Sequence, residues 1–197
     1  MRPVAAFAAG HLPGSISIEL RPQFASWLGW LVDPHRPVAF ITDEATDRED
    51  LTNQCLNIGY EKVLGELDGG FPRWREAGLP TAQIPLAGAD DLTRRQVIDI
   101  RQKQEYAAGH VPGAANIELG SLTTSALAPG TSWAEAGTAS INLLGHPVVT
   151  MCAHGQRSMT AASILARVRG SADGVAVFTG SAEDWARHAG RSGEQGL

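Results

Sequence analysis

The 197-residue sequence predicts an α/β chain made of two tandem copies of one fold, each a mostly parallel central sheet with helices on both faces. Three observations predict it. FAAGHLPGSISIEL, Phe7 to Leu20, returns as YAAGHVPGAANIELG from Tyr106, so that Gly10, His11, Pro13 and Gly14 answer Gly109, His110, Pro112 and Gly113. LDGGFPRWREAG, Leu67 to Gly78, returns as FTGSAEDWARHAG, Phe178 to Gly190, aligning Gly69 with Gly180 and Trp74 with Trp185. Two matched blocks in the same order indicate a duplication. Within each half, short apolar runs alternate with helical stretches, as in a parallel sheet covered by crossover helices.

In chain order, each half offers a Gly-His-x-Pro-Gly turn, a strand (ISIEL or ANIEL) and a helix, around Phe24 to Leu31 or Ser132 to Leu144. A strand follows, VAFIT or PVVTM, then a loop and an amphipathic helix. The second half opens on an additional strand, QVIDI. Arg2 aligns with Arg101, so the first half lacks a counterpart of Val97-Ile98-Asp99 and is expected to leave a sheet edge open. LPTAQIPLAGADD, with two prolines and no long apolar period, reads as a linker. The expected division is a first domain over 1–80, a linker over 81–91 and a second domain over 92–197.

Composition excludes several classes. Sixteen Lys and Arg against 21 Asp and Glu give a net charge of -5, with no basic surplus for nucleic acid or an anionic membrane. No run approaches the roughly 18 apolar residues of a membrane span, and the opening MRPVAAFAAGHLPG lacks a secretory apolar core. Cytoplasmic residence is the expectation. Two cysteines, Cys55 and Cys152, make no disulfide framework.

VVTMCAHGQRSMTAA, Val148 to Ala162, runs an apolar strand straight into Cys152 and a polar turn. In a parallel α/β sheet ligands sit beyond the carboxyl ends of strands, at helix N-termini. The following stretch, Ser158 to Arg169, places Ala161, Ile164, Leu165 and Val168 at helical spacing, with Ser158 as a candidate N-cap. The free amides and positive end of that helix favour a thiolate and an anion. Cys55 sits among Leu51, Leu56 and Ile58 and reads as a small buried residue.

With these motifs the chain resembles a tandem rhodanese of the rhodanese-like sulfurtransferase superfamily, over nearly its whole length. The resemblance rests on Asp99 and Arg101 in VIDIR, the Gly109 to Gly113 turn, the loop Cys152-Ala153-His154-Gly155-Gln156-Arg157 followed by Ser158, and the closing Gly180 and Trp185. It implies that Cys152 is a nucleophile carrying a persulfide, wrapped by Ala153, His154, Gly155, Gln156, Arg157 and Ser158, with the loop amides and Arg157 facing the substrate anion. Asp99, Arg101 and His110 are then structural residues near the site. Sulfur would pass from thiosulfate or a persulfide donor to a thiol or cyanide, with no cofactor and no metal. Phosphatases and arsenate reductases of the Cdc25-like type use Cys-x5-Arg, whereas this chain has Cys-x4-Arg, which favours sulfur transfer. A non-catalytic interaction or regulatory module is the other alternative, since Ala153 stands where many thiosulfate-using relatives carry a basic residue.

In the first half Asp43 is expected at the place of Cys152, which would leave that copy inactive. The abrupt start together with FASWLGWLVDP is similar to the paired rhodanese region of metallo-β-lactamase/rhodanese fusion proteins. That implies a metallo-β-lactamase-fold hydrolase as a partner domain, because the chain has no His-x-His-x-Asp-His cluster of its own. His11 and His110 read as packed turn residues, Trp74 and Trp185 as core anchors, and Trp27 with Trp30 as apolar bulk or, by their helical spacing, a face for a partner. Trp133 adds apolar bulk.

Overall fold

The computed structural model describes residues 1–122 and 146–190; the helix expected around Ser132 to Leu144, with Trp133, lies outside them. The first half comprises α1 (Val4–Ala9), α2 (Phe24–Leu31), β1 (Val38–Phe40), α3 (Arg48–Asn57), β2 (Val63–Glu66) and α4 (Gly70–Glu76). The second comprises β3 (Leu86–Ala87), β4 (Gln96–Asp99), α5 (Lys103–Ala107), β5 (Ala115–Asn116), β6 (Val148–Met151), α6 (Gln156–Arg169), β7 (Val175–Phe178) and α7 (Ala182–Ala189).

The second sheet has the order β3-β7-β6-β4-β5, and every pairing is parallel. Val148 and Met151 of β6 pair with Gln96 and Asp99 of β4 and with Val175 and Phe178 of β7. Side chains alternate across a strand, so Ile98, Val148, Val175 and Val177 pack on the face that carries α6. Val97, Val149, Ala176 and Phe178 take the other face, against Trp185 and Ala186 of α7. This double covering explains why these strands read as unbroken apolar runs rather than alternating ones.

Among the described residues the first sheet comprises β1 and β2, paired in parallel. The ISIEL stretch, expected as a strand, forms none: among the described residues it has no strand beside it to pair with. The Met1 nitrogen donates to Ile41 O at 2.9 Å, as Ile100 N donates to Met151 O at 2.9 Å. Met1 and Arg2 therefore occupy the places of Ile100 and Arg101.

The histidine turns repeat in detail. His11 stacks on Phe7 and its Nδ1 meets Phe7 O at 3.0 Å; His110 stacks on Tyr106 and its Nδ1 meets Tyr106 O at 3.1 Å. Trp185 is buried as expected, but Trp74 is a correction: it is only partly covered, with Nε1 donating to Pro80 O at 2.8 Å.

The two halves share one core. Phe24, Leu28 and Phe40 of the first half belong to the same cluster as Met159, Ala162 and Ile164 of α6. Every residue of α6 from Ser158 to Leu165 is buried, since the helix lies between its own sheet and the first half. Ser17 N donates to Ser163 Oγ at 3.0 Å across that junction. The stretch 81–91, expected as a linker, is built into this structure. His11 and Ala82 exchange two backbone bonds of 2.9 Å, Ile84 is fully buried, and Leu86–Ala87 is the edge strand β3. The prolines remove donors but leave the intervening amides to pair, so a proline-rich segment can still be fixed in place.

Candidate active site

Cys152 follows the last residue of β6 and is buried, 2% exposed. The chain then turns through Gly155 at φ 93°, a left-handed conformation that glycine adopts without a Cβ penalty. A Cβ there would also stand 3.1 Å from Thr179 Cγ2. This turn brings Gly155 N to 3.2 Å from Cys152 Sγ, the amide donating to sulfur.

Ser158 is not the N-cap. Gly155 occupies that position with no capping side chain, and α6 begins at Gln156. The buried Ser158 hydroxyl instead donates to Gly155 O at 2.9 Å and lies 3.6 Å from Sγ. A helix start without a side-chain cap leaves its first amides for the sulfur and for whatever it carries.

Arg157 is held by a residue that the sequence reading missed. Its Nη1 and Nη2 donate to Glu105 Oε2 and Oε1 at 2.6 and 2.8 Å. The hydrogen bond to Glu105 raises the Arg157 pKa, against an opposing effect of burial, and Cys152 adds to the rise. Glu105 is the third residue of α5 and also accepts from Gln102 N. Its capping-box spacing was visible in sequence; its reach across to Arg157 was not. Ala153 and Gln156 are partly buried, and His154 is exposed.

Asp99 and Arg101 are joined at the end of β4, while the His110 ring contacts Tyr106 within its own turn. Asp99 accepts from Arg101 N, Nε and Nη2 at 2.7 to 3.1 Å, and Arg101 Nη2 also donates to Gly109 O at 2.7 Å. Arg2 repeats the last bond on Gly10 O at 2.5 Å but has no Asp99 equivalent, and its guanidinium lies over the Phe71 ring.

Sγ opens into a cleft of about 300 Å³. The Cys152 loop and Gln102 form part of its lining, and Arg21, Gln23, Trp27 and Trp30 of the first half form the rest. Trp27 and Trp30 thus face the other half of the same chain. A larger cavity, about 660 Å³, lies in the first half among Ile18, Phe24, Leu28 and Phe40 and holds no cysteine.

The first half differs from expectation at the equivalent position. Phe40 pairs with Glu66 as Thr150 pairs with Val177, which sets Thr42, rather than Asp43, level with Cys152. Counted from these matched positions, the first-half loop is two residues longer before its helix begins, with five residues between Thr42 and Arg48 against three between Cys152 and Gln156. Thr42 Oγ1 donates to Glu66 Oε2 at 2.5 Å. Asp47 caps α3 by accepting from Glu49 N and Asp50 N, so a carboxylate already occupies the helix start.

The model of the rhodanese-like domain family matches residues 1–77 and 86–188. Thiosulfate sulfurtransferase GlpE of Tolumonas auensis is 29% identical over 86 residues, 43% of this chain and 76% of that protein. Among solved structures, the human single domain sulfurtransferase TSTD1 is 24% identical, with a TM-score of 0.41, covering 59% of this chain and 92% of that one. Thiosulfate sulfurtransferase from Pseudomonas aeruginosa is 19% identical, with a TM-score of 0.38, covering 100% of this chain and 39% of that one. By the extent of the family match in both halves, the chain belongs to the rhodanese-like domain family.

Proposed function

We propose that the chain is a sulfurtransferase that carries a sulfane sulfur on Cys152. The observation that supports it most is the approach of Gly155 N to Sγ at 3.2 Å, at the uncapped start of a 14-residue helix. Amides aimed at that point stabilise a thiolate and then a persulfide anion. The thiolate attacks the outer sulfur of thiosulfate, the S–S bond of the donor breaks and sulfite leaves with the electron pair. An acceptor thiolate then attacks the outer sulfur of the Cys152 persulfide, giving a new persulfide and returning the Cys152 thiolate.

The donor in this reading is thiosulfate or a small persulfide, the latter being what a metallo-β-lactamase-fold hydrolase partner would handle. A second reading, a non-catalytic interaction module, is favoured by one observation: Arg157 is already held by a carboxylate. Intact mass after incubation with thiosulfate or glutathione persulfide separates the two. The expected result is a gain of one sulfur, about 32 Da, on the native chain and none on Cys152→Ser. No gain from either donor on folded, reduced protein would overturn the reading in favour of the module.

A further inference from the structure

The cleft over Cys152 is lined by residues of both halves, and its charge is one-sided. No carboxylate lines it among the described residues, whereas Arg21 and Arg157 both do. Arg157 is committed to Glu105 through two hydrogen bonds. Arg101, next in sequence to the cleft residue Gln102, is committed to the buried Asp99. Arg21 differs: among the described residues it takes part in no ion pair. Its Nε donates to the neutral Gln23 Oε1 at 3.1 Å, and its guanidinium carbon lies 5.8 Å from the Trp27 ring centroid. Gln23 and the aromatic ring orient the guanidinium without neutralising it, which leaves its remaining donors to a ligand.

We propose that Arg21, supplied by the half that has no cysteine at the matching position, is the anion-recognition residue of the Cys152 cleft. It selects small sulfur substrates that carry a carboxylate or sulfonate. This rests on the sulfur-transfer reading for the word substrate, though not for the recognition itself. A cleft of about 300 Å³ is at the lower limit for small-molecule sites, and Trp27 and Trp30 offer apolar cover to a short carbon chain. Duplication has on this view kept the first half because it completes the site of the second.

The test uses a matched pair of alkylating agents on the full chain. Rate constants for Cys152 with anionic iodoacetate and neutral iodoacetamide are followed by the mass of the peptide holding Cys152, and their ratio is compared across variants. Arg21→Ala should lower the iodoacetate-to-iodoacetamide ratio about fivefold, a ratio in which any change of thiolate fraction cancels, and Arg21→Lys should recover most of it. A ratio within about twofold of the native value in Arg21→Ala would overturn the proposal, whatever the iodoacetamide rate.

The source of the anion is then read from sulfur transfer itself. A loss confined to loading from thiosulfate assigns Arg21 to the donor's sulfonate. A loss confined to discharge into 3-mercaptopropionate, against neutral 2-mercaptoethanol, assigns it to the acceptor's carboxylate. Should the native chain take up no sulfur, the sulfurtransferase reading fails, and the alkylation ratio still decides the role of Arg21.

Discussion

Glu105 grips Arg157 with both carboxylate oxygens, at 2.6 and 2.8 Å, across 52 residues of chain. The arginine hydrogen bond, ahead of the opposing effect of burial, holds the Glu105 pKa below its ordinary value. A depressed carboxylate contributes stability above its unfolded pKa of about 4.3 and loses it as pH falls through the folded value. Glu105→Gln should therefore lower the melting temperature near pH 7, by about 1 to 3 °C because the pair is partly exposed and screened. The gap from the native chain should close as pH falls below the carboxylate range. Thermal unfolding of both proteins across pH checks it; a gap that widens in acid would contradict the pairing.

Gly155 serves the site by its backbone. Gly155→Ala incurs the left-handed penalty at φ 93° and presses a methyl to 3.1 Å from Thr179 Cγ2. Gly113→Ala, at φ 77° with nothing within 4 Å, incurs the first cost alone. Chemical denaturation should show both variants destabilised by about 1 kcal/mol or more, Gly155→Ala the more severely. Only Gly155→Ala should also reduce persulfide loading, because only it moves the amide that donates to Cys152 Sγ.

Asp99 is fully buried and balances a guanidinium that is nearly so. Asp99→Ala removes the acceptor of three Arg101 donors and should cost about 3 to 5 kcal/mol, the penalty of stranding a buried charge. Asp99→Asn keeps one acceptor oxygen and should cost less. Denaturant midpoints of the two variants provide the comparison, and equal losses would indicate that shape rather than charge holds this corner.

The repeat was legible because its turn is built from positions that few residue types can fill: Gly14 and Gly113 at φ 75° and 77°, and in each copy a histidine stacked on the aromatic four residues earlier. Cys152 was legible for a related reason, a strand that ends in a sulfur at a helix start. What failed to show depended on partners distant in sequence. ISIEL has the pattern of a strand but no neighbour to pair with. Thr42 rather than Asp43 matches Cys152 because strand pairing sets the level, and alignment by letters cannot see register. Glu105 lies 52 residues from Arg157, and Arg21 and Trp27 reach the cleft only through the packing of one half on the other.

That packing makes its own prediction. Ser163 Oγ accepts from Ser17 N at 3.0 Å while donating to Thr160 O at 2.7 Å, inside the junction between the halves. Ser163→Ala would strand the buried Ser17 amide, at a cost of about 1 to 3 kcal/mol. Since α6 is buried against both its own sheet and the first half, that loss should spread through one core rather than stay in one copy. Peptide-resolved hydrogen exchange in mild denaturant should show segments around Ser17 and β6 exposed together in the native chain, and earlier together in Ser163→Ala. Loss of protection around Ser17 alone, with β6 unchanged, would mean that each half keeps a separate core, against the continuous cluster from Phe24 to Ile164.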